Sequence, residues 1–124
     1  MTNKDLLDSF GKLLMSEVRD EAIEKYEMIA QGKIRSKSAQ DLNSKLSKLD
    51  DEQLSLVREV VVSSVDDVLH NLLWMIEQSG DQITLTCNDE NNAVNIHTIS
   101  DGLSGEMYTE DGWIAKYSRY KENY

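Results

Sequence analysis

The stretch DEQLSLVREVVVSSVDDVLHNLLWMIEQ, residues 51 to 78, decides the fold. Its apolar side chains Leu54, Val57, Val61, Val65, Val68, Leu72 and Ile76 recur at steps of three and four, the spacing of one helix face. Asp50 can accept from the backbone N–H of Gln53 while Gln53 reaches back to Asp50, a capping box that starts the helix. Leu49 and Leu54 flank the box as a hydrophobic staple, and Gly80 supplies the stop. The β-branched run Val60-Val61-Val62 lowers helix propensity by roughly a few tenths of a kcal/mol per residue. Packing along the seam has to outweigh that, and Val62-Ser63-Ser64 is where a kink would fall.

Toward the N-terminus, residues 3 to 31 read as a helix carrying Leu6, Leu7, Phe10, Leu13 and Leu14, then Val18, Ala22, Ile23, Tyr26 and Ile29. Thr2 with Asp5 starts it and Gly32 stops it. At about 100° per residue the stripe drifts by over a third of a turn along the helix. It must therefore bend, break near Gly11 or residues 19 to 21, or meet two partners. Ser38 and Asp41 resemble a second capping box, which predicts a short helix at about 39–49 burying Leu42, Leu46 and Leu49.

Beyond Gly80 the period falls from 3.6 to 2. Ile83, Leu85 and Cys87 alternate with Thr84 and Thr86, and Val94 and Ile96 with Asn95 and His97, across a polar turn at Asn88 to Asn92. Asp111-Gly112 suits a tight hairpin between two further short strands. The expected architecture is one α+β domain over 1–124. Helices at about 3–31, 39–49 and 51–78 pack on an antiparallel meander of three to four strands at about 82–88, 93–99, 105–109 and 113–120.

A chain of 124 residues, 40% of them hydrophobic, can bury a core without disulfides. The lone Cys87 excludes an internal disulfide, a Cys-rich zinc site and a CxxC redox centre, and it suits a reducing compartment. The start of the sequence, from Met1, carries acids at Asp5 and Asp8 and no basic leader, and no apolar run is long enough to span a membrane. A cytoplasmic location is expected.

Thirteen Lys and Arg against 23 Asp and Glu give a net charge of −10, unevenly placed. Residues 33 to 48 hold five bases and one acid, whereas the eleven carboxylates between Arg58 and Lys116 have no Lys or Arg among them. Such a surface repels nucleic-acid phosphate and anionic lipid and attracts basic proteins and metal cations.

Two constellations are candidates for chemistry. On the long helix Ser63, Asp66, Asp67, His70 and Trp74 share the side opposite the seam. Asp66 and His70, four apart, could orient a general base or chelate a metal, with Glu106 as a further carboxylate; Ser63, Asp67 and Trp74 would complete a cleft. The competing structural expectation is that His70 simply bonds Asp66 and that Trp74 is roofed over as core. The second constellation is the pair of acidic glycine turns around Asp101-Gly102-Leu103-Ser104-Gly105-Glu106 and Glu110-Asp111-Gly112-Trp113. Their spacing matches no EF-hand loop, so they read as structural turns and no metal is assigned.

Nucleotide-binding glycine loops and a hydrolase elbow are missing. Cys87 reads as a small core residue. The tail Tyr117, Tyr120 and Tyr124, interleaved with Lys116, Arg119 and Lys121, resembles a base-stacking platform only superficially beside so many carboxylates.

The sequence thus points to a small, acidic, non-catalytic interaction protein that binds a basic protein partner, of which an immunity or antitoxin-type inhibitor is one form. Asp89, Glu90, Asp101, Glu106, Glu110, Asp111 and Trp113 are the expected contact residues. No cofactor, nucleic acid or membrane is expected, and a homodimer is compatible with the reading. The alternative is a metal-dependent or acid/base enzyme built on Asp66, His70 and the acidic turns. A mimic of nucleic-acid charge is a third.

Overall fold

The caps form where the side chains permit them. In the computed structural model, which describes residues 2–90 and 92–121, Thr2 Oγ1 accepts from the Asp5 N–H at 3.0 Å and Asp5 Oδ2 accepts from the Thr2 N–H at 3.0 Å. Those bonds to the charged form hold the Asp5 carboxyl below its ordinary range. They open α1 (Asn3–Leu13), which runs through a π-helical segment (Leu14–Arg19) into α2 (Asp20–Ala30). The π segment lies between the two places where the drifting stripe calls for a break. Its wider turn lets Leu14, Met15 and Arg19 all face inward. Gly32, at φ +73°, ends the run in the left-handed region that glycine tolerates.

The next helix, α3 (Lys37–Leu46), is capped by Ser36, whose hydroxyl accepts from the Ala39 N–H at 3.3 Å; Ser38 is not the cap. Only Ala39 of α3 is buried, while Leu42 is exposed and Leu46 and Leu49 are half-buried, contrary to the expected leucine face. The Asp50–Gln53 box forms with reciprocal bonds of 2.8 and 3.0 Å and begins α4 (Asp51–Gln78), which is α-helical throughout, including Val62-Ser63-Ser64. Gly80, at φ +65°, follows it.

The C-terminal third differs from the expected meander. It contains a two-stranded antiparallel hairpin, β1 (Thr86–Asn88) and β2 (Ala93–Asn95), with Cys87 opposite Val94. The segment expected as a strand at 105–109 lies instead on a 3-10 turn (Leu103–Met107), and the strand expected at 113–120 begins as a short helix, α5 (Trp113–Tyr117). The reason is local. Gly112 has its N–H bonded to Thr109 O at 3.1 Å, and a Cβ there would sit 2.0 Å from Tyr108 O, so the chain folds back on itself before entering α5 and offers no free strand edge. The architecture is α+β in the broad sense, mostly helical with a small sheet. Met1, Asn91 of the expected polar turn, and Tyr124 lie outside the described residues.

One apolar cluster joins these pieces. Leu7, Leu14 and Met15 from the first helical run meet Leu69, Leu73 and Ile76 of α4, Ile96, Leu103 and Met107 from the C-terminal turns, and Trp113 and Ile114 of α5. Trp113 is 1% exposed and sits edge-on to Phe10, ring centroids 5.6 Å apart. Cys87 packs at the margin of this cluster, where burial pushes its thiol up and keeps it protonated at neutral pH.

The buried face of α4 is not the expected seam. Val62, Asp66, Leu69, Leu73 and Ile76 face the core, whereas Val68 is 66% exposed and Leu72 44%. Four of the five lie one residue beyond Val61, Val65, Val68 and Leu72, which is a rotation of about 100°. Among the described residues no helix is long and apolar enough to cross a membrane.

Candidate interaction surfaces

Asp66, the expected partner of His70, belongs to a buried ionic network instead. Arg19 grips it with two bonds, Nε to Oδ1 at 2.6 Å and Nη2 to Oδ2 at 3.3 Å. The third guanidinium nitrogen, Nη1, donates to Ser118 Oγ at 2.7 Å and to Tyr120 O at 2.5 Å. Ser118 in turn donates to Asp20 Oδ1 at 2.5 Å, and the Arg119 N–H donates to Asp20 Oδ2 at 3.0 Å. Arg19, Asp20, Asp66 and Ser118 are all buried. Four elements of the chain are tied at this point, and the carboxylate is occupied as a structural anchor. No spacing rule links Arg19 to Asp66 or Ser118. The available signal was an Arg and an Asp at positions where helix periodicity places apolar residues.

His70 is half-buried, its ring 5.8 Å from that of Tyr108, and its Nδ1 has no hydrogen-bond partner among the described residues. Ser63, Asp67 and Trp74 lie on the exposed side of α4. Trp74 is 49% exposed, so neither a roof nor a cleft encloses it. Acrylamide should therefore quench part of the native fluorescence, Trp74→Phe should abolish that part, and Trp74→Ala should cost less than about 1 kcal/mol in a urea melt. A native emission wholly resistant to quenching would contradict the exposure.

The acidic turns do not converge. Glu106 accepts from the Ser100 hydroxyl at 2.9 Å, and Glu77 accepts from the Ser104 N–H at 3.2 Å. Asp101, Glu110 and Asp111 point to solvent, and at the hairpin Asp89 accepts from the Asn92 N–H at 2.8 Å with Glu90 exposed beside it. Among the described residues no group of three or more His, Cys, Asp or Glu side chains is placed to hold a metal ion. Trp113 is in the core, away from any partner-facing surface. Tyr117 and Tyr120 are covered by the chain's own cations: Lys116 lies 5.3 Å from the Tyr117 ring, and Arg58 and Arg119 lie 5.9 and 5.7 Å from that of Tyr120.

The rotation of α4 leaves the predicted seam over an open groove. Ala22, Tyr26 and Ile29 of α2, Leu42 and Leu46 of α3, and Val57 and Val61 of α4 line one half, of about 350 Å³. Val18, Ala22, Val65 and Val68 line the other, of about 270 Å³, and Ala22 borders both. The lining residues that carry a polar side-chain group are Lys25, Tyr26 and Ser64. A scan against protein-family models gave no match, and comparisons with curated proteins and with solved structures gave no significant match.

Proposed function

We propose that this chain is a non-catalytic interaction protein that captures a basic protein through its acidic C-terminal half, an immunity or antitoxin-type inhibitor being one form of it. One observation carries the reading. Glu59, Asp67, Asp81, Glu90, Asp101, Glu110 and Asp111 are exposed, none is in an ion pair among the described residues, and the span holding them has no Lys or Arg. Asp89 and Glu106, in the same span, are half-buried. Uncompensated charge of one sign raises the encounter rate with an oppositely charged partner and disfavours phosphate backbones. The proposal places the protein in the cytoplasm, on the strength of its single, protonated thiol, and assigns it neither nucleic acid nor membrane. An acid/base centre has less support, because Asp66 is engaged by Arg19 and lies buried.

Affinity capture from native lysate should return a stoichiometric basic protein. Against that protein, Lys substitution of Asp89, Glu90, Glu110 and Asp111 together should slow association about tenfold or more at low ionic strength and flatten its salt dependence. The changes at Glu90, Glu110 and Asp111 should alter stability little, since exposed charges contribute at most about 1 kcal/mol each, while the change at Asp89 also removes its bond to the Asn92 N–H. Unaltered association kinetics would end the proposal.

A further inference from the structure

Asp101-Gly102 and Asp111-Gly112 are the two Asp-Gly steps of the sequence, which has no Asn-Gly step. At such a step no side chain shields the glycine nitrogen, so it can reach the aspartate Cγ when the peptide between them is free to turn. The structure treats the two steps differently. At Asp111-Gly112 the glycine is buried, its N–H donates to Thr109 O at 3.1 Å to close the turn that leads into α5, and a Cβ there would collide with the Tyr108 carbonyl. Turning that peptide would press Gly112 against Tyr108 and pull on the buried Trp113 and Ile114 that follow it. At Asp101-Gly102 the aspartate is exposed, and no atom beyond the chain neighbours lies within 4 Å of a Cβ built on the glycine. The Gly102 N–H is held by one side-chain hydroxyl, Ser100 Oγ, at 3.2 Å, the long end of the range for such a bond. Both glycine carbonyls open a helical turn, Gly102 O accepting from the Gly105 N–H and Gly112 O from the Lys116 N–H, each at 3.0 Å, so the difference lies on the amide side.

We infer that Asp101 is a modification site, at which the folded chain forms isoaspartate, while Asp111 is protected. The Gly102 nitrogen bonds to Cγ of the Asp101 carboxyl; the N–H proton and the carboxyl hydroxyl leave as one water, and a succinimide ring closes. Water then opens the ring at either carbonyl. Addition at the former Cγ restores aspartate. Addition at the α-carbonyl leaves the main chain running through Cβ and Cγ, with the carboxylate attached directly to Cα. Water is the only co-reactant, and no electrons are transferred. The product keeps its mass and its charge, but the main chain is one carbon longer at residue 101 and the carboxylate stands one carbon closer to it. Asp101 is also one of the acids of the proposed capture surface, so the change repositions a charge there. The chemistry itself needs no partner and is independent of that reading.

Prolonged incubation of the whole protein at physiological temperature and pH tests it, read by digestion with an endoproteinase that cuts before aspartate but not before isoaspartate, and by mass spectrometry of the peptides. The native protein should accumulate a peptide of unchanged mass that stays uncut at residue 101, while cutting at Asp111 remains as it was at the start. The same incubation in urea should produce isoaspartate at both steps, because the unfolded chain has neither the turn closed at Thr109 nor the contact with Tyr108. Gly102→Ala places its methyl group in open space at an extended φ of −179°. It should keep the parent melt and lower isoaspartate at residue 101 severalfold, since the methyl shields the nitrogen. Isoaspartate forming at Asp111 as fast as at Asp101 in the native protein, none at Asp101 over a period that yields it in urea, or a rate at residue 101 indifferent to Gly102→Ala would each overturn the inference.

Discussion

Trp113→Ala should cost about 3–5 kcal/mol in a urea or thermal melt, enough to leave a domain of ordinary stability marginal. The ring is 1% exposed, lies against Phe10, and fills a notch that exists because residue 11 is glycine. A Cβ built on Gly11 would fall 2.3 Å from Cε2 of the indole, so α1 and the tryptophan are fitted to each other. The two positions should therefore be non-additive. In the parent, Gly11→Ala should destabilise strongly, since neither the indole nor the helix backbone has room to give way. In the Trp113→Ala background the same change should be neutral or stabilising, because alanine is favoured over glycine within a helix by about 1 kcal/mol. Additive effects at the two sites would show that the notch and the ring are not a matched pair.

Arg19→Ala should be as damaging, by about 3–5 kcal/mol, because it strands the Asp66 carboxylate in the interior and takes a bond from Ser118. Arg19→Lys should recover little, since a single ammonium cannot reproduce a two-pronged grip on Asp66 together with bonds to Ser118 and Tyr120. Arg19→Met combined with Asp66→Leu should be much less destabilising than Arg19→Ala, because it removes the pair instead of breaking it. Limited proteolysis gives a second readout: the Arg19→Ala protein should be cut near residues 118 to 121 well before the parent. A melt within about 0.5 kcal/mol of the parent would mean that the pair is not buried in solution.

The helix ends were legible because caps are local. Thr2 with Asp5 and Asp50 with Gln53 need only a three-residue spacing, and Gly32 and Gly80 need only the missing side chain. The inward face of α4 was not legible. Val57, Val61, Val65 and Val68 make a cleaner seam than Val62, Asp66, Leu69 and Leu73, because the second contains a carboxylate. The cost of burying that carboxylate is offset by Arg19, 47 positions away, where no periodic rule reaches. Trp74, expected to be roofed over by a second layer, faces water, and Trp113, expected at the surface, is enclosed against Phe10 and Gly11 in the core. The segment 113–120 is short enough that apolar spacing does not separate strand from helix, and the Gly112 contact with Tyr108 decides it. Of the candidate site, the uncompensated acids were visible in the charge pattern. The groove was hidden because its lining read as core. Gly11, taken as a weak point in a helix, is the seat of a tryptophan.

The Arg19–Ser118 bond spans 99 positions, and this bears on how the protein is made. Translation at about 5–20 residues per second puts roughly 5–20 seconds between the emergence of α1 and that of the segment that covers it. Through that interval Leu7 and Leu14 lack their lid and a guanidinium destined for the interior has no counter-charge from α4 until Asp66 follows it out. The N-terminal helices cannot settle as a unit of their own while they wait. A ribosome stalled before Trp113 would hold out an unfinished hydrophobic surface of the kind that recruits chaperones, and the last turns of the chain act as the latch that ends that exposure.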